Sequence, residues 1–215
     1  PVDVPVGAWT ALDAEGTVPR TGRQLYVLPA ETAGGQSESW GMEFVVAGDE
    51  STPTTLVYAA LDAGASSLTG SGGLQDLSVS PSTYTALASV SVVPSVSGNT
   101  LTVAAATASW TLAKAALPAA TDGLWSGAFS STAAGGALAL DWNLNTTTLT
   151  ASDNTGCTYE GSLAAVGHAD LPGVVRVSYA STNTDATKRA ECGDWQGMGT
   201  VARDVNGNVA GRTLW

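Results

Sequence analysis

Charge is scarce in this chain. Only 13% of its 215 residues are Asp, Glu, Lys or Arg, about half the usual share of roughly 25%. Basic residues are the scarcest: 8 Lys and Arg stand against 19 Asp and Glu, for a net charge of −11. Both halves are acidic, with 10 acids and 3 bases in residues 1–118 and 9 acids and 5 bases in residues 119–215. A phosphate backbone or an anionic membrane surface is repelled by such a chain, which removes nucleic acid from the expected partners. No run approaches the ~18 consecutive apolar residues of a membrane-spanning helix, and no basic segment followed by an apolar one opens the chain. An exported precursor would already have shed its leader, and a lipid anchor upstream of residue 1 stays open.

The ingredients of catalysis are also thin. The single histidine, His168, falls in Val166-Gly167-His168-Ala169-Asp170, a strand-to-strand loop that reads as solvated surface. No Gly-x-Ser-x-Gly elbow is present. Gly70-Ser71-Gly72-Gly73 lacks the lysine of a phosphate loop and reads as a flexible loop. Asp204-Val205-Asn206-Gly207-Asn208 spaces its oxygens like a calcium loop, but the glycine is misplaced and the closing acid is missing, so a hairpin turn explains it better. Glu191 and Asp194, beside Cys192, read as solvated carboxylates on an exposed loop. No catalytic residue, metal or cofactor is expected.

There are two cysteines, Cys157 and Cys192, with 34 residues between them. In a cytosolic protein they would be two unrelated buried thiols, and in an exported one a disulfide, which is the reading adopted. Two cysteines with neither a nearby histidine nor CxxC spacing cannot complete a tetrahedral zinc site.

What the chain does have is period-2 alternation. Leu138, Leu140, Trp142 and Leu144 share one strand face, as do Val175, Val177 and Tyr179. Turn signals at Gly135-Gly136, Asp153-Asn154-Thr155-Gly156 and Asn206-Gly207 separate such runs. From Gly123 onward the pattern predicts seven strands: Leu124–Ser130, Gly136–Leu144, Thr147–Asp153, Cys157–Val166, Gly173–Ala180, Gln196–Arg203 and Val209–Trp215. Upstream it predicts strands at Gly7–Leu12, Gln24–Leu28, Trp40–Val46, Thr54–Leu61, Thr83–Val93 and Leu101–Leu112. Ala59–Ala65 and Thr111–Ala120 are alanine-rich and could each form a helical turn, cut short by Gly64 and Pro118. No stretch carries a sustained 3.6-residue stripe.

Gly7-Ala8-Trp9-Thr10 and Gly123-Leu124-Trp125-Ser126 open two strands alike, which suggests related halves. The expected fold is all-β: two small antiparallel β-barrel or β-sandwich domains in tandem. The expected boundaries are an extended tether at residues 1–6, a first domain at 7–114, a linker at 115–122 and a second domain at 123–215. In the tether, Val2, Val4 and Val6 alternate with Pro1, Asp3 and Pro5, so an extended segment puts all three valines on one side. Its prolines suit it only to an edge or an exposed arm. Of the seven tryptophans, Trp110 and Trp142 read as core and Trp215 as a strand end. Trp40 and Trp195 flank expected loops and are, with the three valines, the candidate contacts for a partner.

Gly123-Leu124-Trp125-Ser126-Gly127, Gly156-Cys157-Thr158-Tyr159-Glu160-Gly161-Ser162, and Cys192 ahead of Gly197-Met198-Gly199-Thr200-Val201-Ala202 together resemble a group of proteobacterial surface or periplasmic lipoprotein-like proteins. The likeness covers residues 120–215 well and is weaker upstream. It implies export from a Gram-negative cytoplasm, a disulfide between the two cysteines and a pair of barrel-like β domains, and it implies no activity. The functional expectation is a non-catalytic exported protein that binds a protein partner or itself. One alternative is a subunit of a filament or coat assembled by strand addition, for which the tether would supply the strand. Another is a lipocalin-like small-ligand carrier, which needs an open barrel mouth.

Overall fold

The structure, a computed structural model, describes residues 1–12, 19–46, 49–76, 78, 83–105, 108–115, 128–132, 138–143, 148–153, 155–203 and 209–214. Among the described residues the regular structure is β-strand apart from one short helix. The chain divides into two compact units, Pro1–Leu117 and Pro118–Trp215.

In the first unit eight strands follow one another as β1 (Gly7–Leu12), β2 (Pro19–Leu28), β3 (Ser37–Val46), β4 (Asp49–Ala63), β5 (Leu68–Asp76), β6 (Thr83–Pro94), β7 (Thr100–Ala105) and β8 (Ala108–Ala115). Each pairs antiparallel with the next, and β1 pairs with β8, so the sheet closes into a barrel. Alternation decides what fills it. Trp9, Leu25, Val27, Val57, Leu61, Val92, Val103, Trp110 and Leu112 belong to one buried cluster. An eight-stranded barrel is just wide enough for its inward side chains to pack against one another. Arg23 on β2 holds its guanidinium 5.2 Å from the Trp110 ring centroid, and its Nε donates to the Glu43 carboxylate at 2.8 Å.

The Gly70–Gly73 segment corrects the reading of a flexible loop, because it is the middle of β5. A Cβ on Gly70 would lie 1.7 Å from the Ala60 carbonyl oxygen, and one on Gly72 1.8 Å from that of Tyr58. Glycine there lets β5 coil tightly against the long β4, and the adjoining register shift against β6 marks a bulge at the same corner. Both alanine-rich segments are also corrected from helical turns: Ala59–Ala63 lies in β4 and Thr111–Ala115 in β8. Small side chains at β4 serve the same close approach. The single strand expected over Leu101–Leu112 is two, β7 and β8, joined at the Ala105↔Ala108 pair.

Residues 1–6 lie on their own barrel. Val2 donates its backbone N–H to the Gly64 carbonyl at 2.7 Å, and the Val2 and Val4 side chains pack against the buried cluster. Trp9 Nε1 donates to the Pro5 carbonyl at 3.2 Å. Alternating valines find apolar surface at the nearest opportunity, which here is intramolecular.

The second unit contains β9 (Ala128–Thr132), β10 (Leu138–Asn143), β11 (Thr148–Asp153), β12 (Thr158–Ala165), β13 (Val174–Ser181), α1 (Ala186–Cys192), β14 (Trp195–Arg203) and β15 (Val209–Leu214). From β9 to β15 successive strands pair antiparallel, and β9 also pairs with β15, parallel, which completes a ring of pairings. Cys157 and Cys192 are joined by a disulfide. Helix α1, absent from the sequence reading, spans only 7 residues, too few to show an apolar stripe. It is held by its ends: Asp185 Oδ1 accepts from the Lys188 N–H at 2.8 Å, and Gly193, at φ +69°, donates its N–H to the Arg189 carbonyl.

Candidate functional site

On β12 and β13 alternation sends Tyr159, Leu163, Val177 and Tyr179 inward, all buried. Glu160, Ser162, Ser178 and Ala180 face solvent. Register then sorts the outward residues into rows across three strands. Glu160 lies opposite Ala180 and Ser162 opposite Ser178, which in turn faces Gln196 on β14. Asp194, immediately before β14, completes the Glu160–Ala180 row. The rows bound a groove of about 410 Å³ lined by Glu160, Gly161, Ser162, Ser178, Tyr179, Ala180, Asp194 and Gln196. The smallness of Ala180 between two carboxylates leaves the recess, and Ser162 Oγ and Ser178 Oγ are hydrogen-bonded across its floor at 2.9 Å. Beneath it Gly161 admits the Tyr179 ring, whose Cδ1 would sit 2.8 Å from a Cβ at that position.

The far wall is positioned by the disulfide and by Asn183. Asn183 Oδ1 accepts from the Thr158 N–H at 2.9 Å, and its Nδ2 donates to the Gly156 carbonyl at 3.0 Å. Its own carbonyl accepts from Arg189 Nε at 2.8 Å. One residue, through its side chain and its backbone carbonyl, thus ties the start of β12, the end of β13 and α1 together, with Tyr159 Oη donating to the Cys192 carbonyl at 3.3 Å beside it. Asp194 follows two residues later, and its Oδ1 accepts from the Ser181 N–H at 3.2 Å. Asn183→Ala should lower the stability of the second unit by about 0.5–1.5 kcal/mol, because it removes the hydrogen bonds to Thr158 and Gly156, whose exposed backbone groups water then solvates. Chemical denaturation of that unit checks this.

Among the described residues no lysine or arginine lines the groove. Its oxygens are acceptors of the kind that hold a guanidinium or ammonium group. Among the described residues no group of three or more His, Cys, Asp or Glu could hold a metal ion.

The residues singled out in the sequence are scattered. Trp40, expected as an exposed contact, is buried within β3, its ring centroid 4.5 Å from that of Tyr58. Burial, and then the Glu38 carboxylate, push the Tyr58 hydroxyl above its ordinary pKa, which keeps it neutral. Trp195 opens β14 opposite Tyr179. Val2, Val4 and Val6 are half-buried rather than displayed. Trp110 is core as expected. Glu191 sits on α1 and pairs with Lys188 at 3.4 Å. His168 lies in the β12–β13 loop, where its Nδ1 accepts from the Asp170 N–H at 3.2 Å. Trp125, Trp215 and Asp204–Asn208 lie outside the described residues, and Trp142 is placed on β10 by its backbone. Glu160, Ala180 and Gln196 were passed over in the sequence, although the outward positions of an alternating strand were there to be read. The chain matches no protein-family model, no curated protein and no solved structure.

Proposed function

We propose that this chain is a non-catalytic extracytoplasmic protein of two tandem β-barrel domains, joined within residues 115–122, that binds a protein partner by a basic segment. The observation that carries this reading is the groove on β12–β14, walled by Glu160 and Asp194 with no cation among its described lining residues. The chain's net charge of −11 would steer a basic partner toward it. The buried disulfide suits an oxidising compartment, in keeping with the resemblance to Gram-negative surface and periplasmic lipoprotein-like proteins.

The two alternatives have less support. A small-ligand carrier needs internal space, and the first barrel's interior is occupied by its own side chains. Assembly by strand addition needs a free arm and an open edge, whereas Val2 and Val4 are engaged at home and the first sheet is closed.

The test uses an arginine-rich peptide as probe. Ala180→Trp, which fills the recess from an exposed strand position, should weaken peptide binding by about tenfold or more, the loss expected when a contact worth roughly 1.4 kcal/mol is blocked. Glu160→Gln with Asp194→Asn should do the same, and circular dichroism should be unchanged in both. Asp62→Asn, which removes a carboxylate on the first unit, should have little effect. Binding that falls with each carboxylate removed, Asp62→Asn included, while Ala180→Trp binds like wild type, would reduce the binding to net charge alone and reject the groove.

A further inference from the structure

The groove on β12–β14 has a carboxylate on each of two opposite walls and a low floor between them. β13 runs down its middle. Glu160 pairs with Ala180 from β12, and the Tyr179–Trp195 pair sets Asp194 beside Ala180 from the β14 side. The two acids therefore stand two strand spacings apart, roughly 9–10 Å between backbones at about 4.8 Å per spacing. Asp194 is the fixed wall, because its Oδ1 accepts the Ser181 N–H at 3.2 Å. Its Oδ2 and the Glu160 carboxylate have no partner among the described residues. The floor competes little for a cation. Ser162 Oγ and Ser178 Oγ are hydrogen-bonded to each other, and Ala180 offers only a methyl. Along β13 the next cation is Arg176, four residues from Ala180, about 13–14 Å away at ~3.4 Å per residue.

We propose that the groove selects an arginine side chain of the partner over a lysine, by bridging the guanidinium between Glu160 and Asp194. The inference rests on the reading of the groove as the seat of a basic segment, and it names the side chain that fills it. Reach decides between the two cations. An ammonium is a point donor, and two bonds of about 2.8 Å from one nitrogen join oxygens no more than ~6 Å apart. A guanidinium spreads its donors over nitrogens about 2.3 Å from one another, so the same two bonds join oxygens up to ~8 Å apart. To hold an ammonium from both sides, Glu160 has to lean over the Ala180 methyl until the two carboxylates crowd each other, and like charges at that range repel. A guanidinium leaves them farther apart. Hydration works in the same direction. The guanidinium is the more weakly hydrated cation, so its flat face rests on the Ala180 methyl at little cost, whereas an ammonium keeps its water. A lysine is then left with one exposed ion pair, a contact of small value.

Two fluorescently labelled peptides test this on the intact chain, identical in length and charge, one with arginines and the other with lysines at the same places in a Gly-Ser background. By fluorescence anisotropy the arginine peptide should bind about tenfold tighter, the difference made by a second charge-assisted pair. Glu160→Gln or Asp194→Asn, each alone, should bring that ratio to within about twofold, because either cation then pairs with a single wall. Circular dichroism should be unchanged in both variants. Equal affinity of the two peptides for the wild type, with Ala180→Trp weakening both, overturns arginine selection and leaves the groove as the seat of a basic segment. Binding of both peptides that Ala180→Trp leaves untouched rejects the groove itself, and the selection with it. An arginine preference that survives Glu160→Gln and Asp194→Asn undiminished overturns the bridge.

Discussion

Gly72→Ala should cost the first barrel about 3 kcal/mol or more, at the upper end of what one added methyl does by overpacking. Its Cβ would sit 1.8 Å from the Tyr58 carbonyl oxygen and 2.7 Å from the Ala59 Cα. Both are backbone atoms in the middle of a ladder, so no rotamer change relieves the clash. β4 and β5 would have to part, and β5 also holds β6 in register across the bulge. Gly70→Ala should behave alike, with the Ala60 carbonyl oxygen 1.7 Å away. Gly73→Ala, one residue on, should cost far less, about 1 kcal/mol or under, because what it meets is the Tyr84 ring, which can swing into solvent. Urea unfolding followed by tryptophan fluorescence separates the cases, since Trp9 and Trp110 both belong to this unit's core. The transition should be assigned unit by unit, because a chain of two compact units need not unfold in one step. Equal stability of the Gly72→Ala and Gly73→Ala variants would show that the β4–β5 approach is looser than described.

Removing the disulfide should have the next largest effect. The paired variant Cys157→Ala with Cys192→Ala opens a loop whose ends are 35 residues apart in sequence, which the loop-entropy relation values at about 3–4 kcal/mol. For a unit of this size that lowers Tm by roughly 12–25 °C. The loss should fall on the calorimetric transition of the second unit. Binding at the groove should weaken too, because Asp194 stands two residues beyond Cys192 and relies on the same anchored turn. Reductant should act slowly on the native protein, with both cysteines almost fully buried. A Tm shift of under about 5 °C would mean that Asn183 and its hydrogen bonds suffice to hold α1 in place.

Strands with clean alternation were legible where turn residues bounded them, as at Cys157–Val166 against β12 or Gly173–Ala180 against β13. Legibility failed in three physical situations. β5 was lost because three of its residues are glycines, and glycine reads as a turn whenever the backbone that presses on it is out of view. The β7–β8 hairpin was lost because Ala106-Thr107 carries no turn signal. α1 was lost because seven residues cannot display a helical period, although Asp185 and Gly193 were in place as caps.

The groove was illegible for another reason. Glu160, Ala180 and Asp194 lie far apart in sequence and become neighbours only through strand register. Trp40 misled for a related reason, since its exposure depends on what lies across β3 and not on its distance from a turn. By itself the sequence determined the β period, the acidity that turns away nucleic acid, and the two cysteines available for pairing. These are local or additive properties, and no contact is needed to read them. Barrel closure, the docking of residues 1–6, and the outward rows that form the groove were decided by tertiary structure. Each depends on pairings between distant residues, and a shift of one residue in register would turn every side chain of a strand to its other face.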